Sequence, residues 1–188
     1  MAINNNECPR CGSRNSADIR YGLPTLEAIE QAEAGEISLR GCLEEPGNTE
    51  YRCRDCEHEW NVEEAVDDAY ERVNWLKASV GGYFGKSYEV EIDFNEGSLT
   101  WSCSEQMVEV DRTVKRDPSL KCKRELKTTG LFKWKSTYVE PGVMDGTSWS
   151  VELIGDGRNI RKSGQNKYPA GWNRFCDYIR RVTGKEFS

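Results

Sequence analysis

The chain carries two Cys-x-x-Cys pairs, "CPRC" at 8–11 and "CRDC" at 53–56, with residues 12–52 between them. Two thiolates so spaced reach one ion only if the backbone between them turns sharply. Two such turns facing each other close a tetrahedral four-thiolate shell of the kind that holds structural zinc. The flanks suit this. Pro9 fixes φ directly after the first ligand, and Gly12 supplies the positive φ that the turn demands. The second pair is followed by Glu57, which weakens the turn without removing a ligand, and then by Trp60, an aromatic placed to pack beneath the site. The expected ligands are Cys8, Cys11, Cys53 and Cys56, with one zinc per chain in a structural role. Four cysteines leave no open coordination position of the sort a catalytic zinc keeps. His58, the single histidine, lies in the second turn and is expected beside the site rather than on the ion, with Cys42 as a spare thiol.

On these residues the stretch from about 5 to 60 resembles the zinc-ribbon superfamily. Glu57 is its departure, since such knuckles usually carry glycine there. The insert between the pairs has its own order. "GLPTLEAIEQAEAGE" reads as a short helix that starts at Pro24, presents Leu26 and Ile29 on one face and stops at Gly35. A strand through "ISLRGCL" follows. A ribbon with such a helical excursion is similar to small bacterial and phage proteins of unassigned role, as is the rest of the chain, and this likeness implies no function.

Eight cysteines in 188 residues would suit four disulfides in a secreted chain. The tight pairs point instead to a metal in a reducing compartment, and the start "MAINNNECPR" lacks both the basic and the apolar parts of a secretory signal. A cytoplasmic location is expected. No apolar run approaches the roughly 18 residues that cross a bilayer, so no membrane partner is expected. Cys122 and Cys176 fall on apolar faces of expected helices, as buried, inert thiols.

Beyond the ribbon, Asn61 caps a helix over "NVEEAVDDAYERV", with Glu64 as its capping-box partner and Val62, Ala65, Val66, Ala69, Tyr70 and Val73 as the apolar stripe. The period then changes to alternation through "NWLKASVGGYFGKSYEVEIDFNEGSLTWS", with a hairpin at "NEG". Residues 148–163 match residues 87–102 in pattern: Tyr88 with Trp149, Val90 with Val151, Ile92 with Leu153. Each hairpin is followed by a Pro-led helix, which reads as a tandem β-β-α unit over 87–128 and 148–183. The last helix is the clearest, with Trp172, Phe175, Cys176, Ile179 and Val182 in its stripe and Gly184 as its stop. The expected fold is α+β: a four-cysteine zinc-ribbon module over 1–61, then a domain over 62–188 with one antiparallel sheet and helices on one side.

Three segments invite a functional reading. "GGYFGK" at 81–86 lacks the spacing of a phosphate loop and leads into a strand. "RELK" holds Glu125 and Lys127, a pair that metal-dependent nucleases use, but it falls in an expected helix rather than on a strand. "SGQNKYPAGW" offers Asn166, Lys167, Tyr168 and Trp172 on a loop, where function concentrates. The competing reading of that loop is a turn that docks the last helix.

Charge is uneven. Residues 1–61 carry net -6, residues 62–110 net -8 and residues 111–188 net +8. The basic part collects Lys121, Lys123, Arg124, Lys127, Lys133, Lys135, Arg158, Arg161 and Lys162, a candidate surface for nucleic acid. Residues 62–188 nevertheless sum to zero, and those basic groups are expected to lie against the acidic 63–71 and 89–96 segments. The reading favoured is a zinc-stabilised, non-enzymatic protein that binds or regulates another protein. Nucleic-acid binding is its alternative, a metal-dependent nuclease a distant third, and head-to-tail pairing of two copies is open to the opposite-sign halves.

Overall fold

The computed structural model describes residues 5–41, 45, 47–82, 85–117, 119, 123–142, 146–155 and 158–188, Arg158 by its backbone alone. Cys42, Lys121 and Cys122 lie outside the described residues. The chain is α+β, and it separates into two compact units that meet at residues 69 and 70. The boundary falls within a helix, whereas the sequence reading divides the chain just ahead of it.

The first unit is built on a four-stranded sheet. Its strands are β1 (Ser16–Arg20), β2 (Ile37–Leu39), β3 (Tyr51–Cys53) and β4 (Glu59–Trp60), in the order β2-β1-β3-β4. Between β1 and β2 runs α1 (Leu26–Glu33), capped by the Thr25 hydroxyl, which accepts from the Ala28 N–H at 3.2 Å. Two parallel strands need such a crossover, and β1 and β2 are parallel. The expected helical excursion is therefore a β-α-β insert between the knuckles. At the far end, α2 (Val62–Glu71) starts where Asn61 Oδ1 accepts from the Glu64 N–H at 2.9 Å.

The second unit is a seven-stranded sheet, ordered β8-β7-β6-β5-β10-β11-β9. In chain order the strands are β5 (Val73–Gly82), β6 (Lys86–Asp93), β7 (Ser98–Glu105), β8 (Val108–Arg116), β9 (Thr137–Val139), β10 (Thr147–Gly155) and β11 (Arg158–Gln165). Every neighbouring pair is antiparallel except β9 with β11, so the sheet is mixed rather than wholly antiparallel as expected. Alternation decides its faces. Leu76, Ala78 and Val80 on β5, Val90 and Ile92 on β6, Leu99, Trp101 and Cys103 on β7, and Trp149, Val151 and Leu153 on β10 are buried together on one side. The other side carries mostly small hydroxyl residues and charges.

Over the buried face lie α3 (Arg124–Lys127), a 3-10 turn at Leu131–Lys133, and α4 (Trp172–Thr183). Rings concentrate where they meet the sheet: Trp172 lies 4.8 Å from Trp149 and Trp134 5.8 Å from Trp149, centroid to centroid. Gly164 permits this approach, since a Cβ there would come within 2.4 Å of the Trp149 indole nitrogen.

The tandem β-β-α reading fails in its first copy. Both hairpins exist, β6–β7 and β10–β11, but β8 extends the first into three strands and α3 spans four residues against twelve in α4. Pro118, the expected start of the first copy's helix, lies outside the described residues.

Candidate metal centre

The two Cys-x-x-Cys turns are built alike. In the first, the Gly12 N–H donates to the Cys8 carbonyl at 2.9 Å and the Cys8 N–H to the Ser13 carbonyl at 2.8 Å. In the second, the Glu57 N–H donates to the Cys53 carbonyl at 3.0 Å and the Cys53 N–H to the His58 carbonyl at 2.8 Å. Both turns need a left-handed residue directly after the second cysteine. Gly12 takes φ 73° there, and Glu57 takes φ 60°, a conformation in which an L side chain is strained.

β1 and β3 bring the turns face to face, through the antiparallel register Ser16 to Cys53 and Ala17 to Arg52. The Sγ atoms of Cys8, Cys11, Cys53 and Cys56 all lie within 4.8 Å of one another. Cys8 and Cys56 are 3.6 Å apart, Cys11 and Cys53 3.5 Å, and no disulfide joins them. Metal–sulfur arms of about 2.3 Å in a tetrahedron put sulfurs about 3.8 Å apart, so the four thiols fit one ion. Among the described residues this is the one group of three or more potential ligands close enough to share an ion.

Burial makes an ion matter here. Cys8 and Cys53 are fully buried with Trp60 and Ala65, and Tyr51 and Cys56 pack against them. Desolvation pushes the Cys8 thiol up to about 12. Cys53 is opposed by the same burial but is held down at about 7 by the N–H groups of Cys56 and Asp55. Thiolates in such a pocket are stabilised by a bound cation. His58 stays beside the site: its ring stacks on Trp60, 6.1 Å between centroids, and Nε2 sits 2.8 Å from Glu64 Oε1. Glu64 thus turns its carboxylate to His58.

The other expected site residues scatter. Lys162 is buried, 1% exposed, on the core face of β11, where its Nζ donates to the Trp134 carbonyl at 2.6 Å; this corrects its assignment to a binding surface. Trp172 is likewise a core residue, 6% exposed within the aromatic cluster. Asn166 takes φ 55° and its Oδ1 accepts from the Thr147 N–H at 2.9 Å, while the Lys167 carbonyl accepts from the Trp149 indole at 2.8 Å. These bonds tie the "SGQNKYPAGW" loop to β10 just ahead of the last helix. Lys167 and Tyr168 remain exposed.

Lys123 precedes α3, with its Nζ donating to the Glu71 carbonyl, and Arg124 and Lys127 lie on α3 with Glu125. Glu125 faces Arg181 at 3.4 Å. Arg158 and Arg161 belong to β11, and Arg161 is exposed on the open sheet face. Of the acidic segments, Glu91 pairs with Lys77 at 3.0 Å, a lysine outside the basic set expected to neutralise it.

Two arrangements escaped the sequence. One is a contact set between the knuckles made by Ser13, Asn15 and Asp55. The other is an open depression of about 840 Å³ on the uncovered sheet face, where Ser79, Ser148, Ser150 and Ser163 lie with Glu89 and Arg161. Serines at alternate positions of β10 were its legible sign.

The geometry defines a protein with a four-cysteine centre able to hold a metal ion, on an α+β framework. A scan against protein-family models returns no match, and a search of the curated proteins returns none either. Among the described residues no helix is long and apolar enough to cross a membrane.

Proposed function

We propose that this chain is a zinc-stabilised, non-enzymatic binding protein of the zinc-ribbon type, working in a reducing compartment such as the cytoplasm, with another protein as its partner. The observation that carries the metal half is the convergence of four Sγ atoms within 4.8 Å from two equivalent turns. Zinc suits that shell because it takes four thiolates tetrahedrally and contributes its binding free energy to folding.

The partner half rests on α1. No residue of this helix is buried, and Leu23, Leu26 and Ile29 are 88%, 82% and 38% exposed. Glu27, Glu30, Glu33 and Glu36 flank them, with no basic residue from 21 to 36. A capped helix with an apolar stripe and an anionic border fits an apolar groove edged by lysines and arginines on a partner protein. The scattered basic groups support this reading over nucleic acid, because a phosphate track needs them on one exposed face.

The test compares wild type with a Leu26→Glu/Ile29→Glu variant. Each is used to capture partners from the native host, with and without nuclease. A partner protein retained by wild type, lost with the variant and indifferent to nuclease is expected. Capture abolished by nuclease would favour the nucleic-acid alternative instead.

A further inference from the structure

We infer that Asp55 is a positioning residue of the metal centre, holding the two knuckles in register so that four thiolates face one ion. The inference rests on the metal reading above and adds to it the means by which the site is assembled. The ligands come in two pairs with residues 12–52 between them, so an ion that joins them must also close that loop, at an entropic cost. Contacts that join the pairs in advance reduce what binding must supply.

Asp55 sits between the two ligands of the second knuckle and reaches the first knuckle with both oxygens. Its Oδ2 accepts from the Ser13 hydroxyl at 2.5 Å, and its Oδ1 accepts from the Asn15 side-chain amide at 2.8 Å. Those partners are the residues that shape the first knuckle. The Ser13 carbonyl accepts from the Cys8 N–H at 2.8 Å, and the Ser13 hydroxyl accepts from the Asn15 N–H at 3.0 Å. The chain of bonds continues into the sheet, where the Arg54 N–H donates to the Asn15 carbonyl at 2.8 Å just before the β1–β3 register begins. One carboxylate thus links a ligand-bearing turn to the residue that closes the other. Each carboxylate oxygen takes one donor from the first knuckle, so the two bonds do not compete. Groups that orient ligands from outside the coordination shell matter to affinity nearly as the ligands do.

The experiment measures zinc affinity of the full chain by chelator competition for wild type, Ser13→Ala, Asp55→Asn, Asp55→Ala and the Ser13→Ala/Asp55→Ala double variant. Asp55→Ala is expected to weaken zinc binding by roughly tenfold to a hundredfold. Asp55→Asn, which keeps an oxygen for Asn15, should fall between it and wild type. Ser13→Ala should weaken binding less, and the double variant should lose less than the sum of the two single losses, because both remove the Ser13–Asp55 bond. With cobalt at saturation, every variant should give the wild-type tetrahedral thiolate spectrum, which separates lost positioning from lost ligands or lost fold. Asp55→Ala within about twofold of wild type, or additive losses in the double variant, would overturn the positioning role alone. Wild type that takes up no zinc would overturn the metal reading beneath it.

Discussion

Arg161 and Lys162 are adjacent on β11 and point to opposite faces of the seven-stranded sheet. Arg161 is exposed, whereas Lys162 is 1% exposed and donates to the Trp134 carbonyl at 2.6 Å. The register explains this, since Lys162 stands opposite Val151, a core residue of β10. A basic run in the sequence is thus divided between solvent and core.

Lys162 should leave a pH signature. Burial holds its ammonium below the ordinary lysine value of 10.5. Over the interval between the two values the unfolded chain keeps a proton that the folded chain has released, so folding stability rises with pH through that interval and is flat below it. Denaturant unfolding from neutral pH to 10.5 should show wild type gaining on a Lys162→Met variant. Parallel curves would show that the amine titrates as an exposed lysine does.

The basic residues at α3, half-buried at Lys123 and Lys127 and exposed at Arg124, have a structural role in this reading. Replacing Lys123, Arg124 and Lys127 together with Glu removes the Lys123 bond to the Glu71 carbonyl. Stability should fall by about 1–2 kcal/mol. Gel-shift with DNA and RNA should show no salt-sensitive binding for wild type or variant. Binding by wild type that the triple variant abolishes would restore the nucleic-acid reading.

Glu57 holds a position that geometry reserves for glycine. Its left-handed φ costs roughly 1–2 kcal/mol. Its exposed ion pair with Arg52, at 3.0 Å, returns roughly 0–1 kcal/mol. Glu57→Gly should therefore stabilise the metal-loaded protein by about 1 kcal/mol, while Gly12→Ala should lose a similar amount. Thermal melts of the loaded proteins check both, and a Glu57→Gly variant that melts lower would contradict the assignment.

What could be read in advance followed the strength of local constraints. Cysteine ligands stand at fixed offsets, so the four candidates are plain, and the α4 stripe of Trp172, Phe175, Cys176 and Ile179 recurs at helical spacing. β8 gave no such sign. It is an edge strand hydrogen-bonded on one side, nearly every residue of it is exposed, and the alternation of Val108, Val110 and Val114 with polar residues is broken at Arg112. Lys162 reads as a surface residue until its partner in the register is known. The parallel pairing of β9 with β11 joins segments that no turn connects, so it rests on tertiary packing. Asp55 was visible within "CRDC", but its partners Ser13 and Asn15 became neighbours only when β1 met β3.

On the proposed reading, Cys8, Cys11, Cys53 and Cys56 hold one zinc whose binding is coupled to folding of the first unit. Elemental analysis of the freshly purified chain, beside a Cys53→Ser variant examined by amide hydrogen exchange, tests it most directly. The expected result is one zinc per wild-type chain and, in the variant, loss of the metal with loss of protection across β1, β3 and β4 while β5–β7 and β10 stay protected. Metal-free wild type, iron in place of zinc, or a disulfide between Cys8 and Cys11 would contradict it.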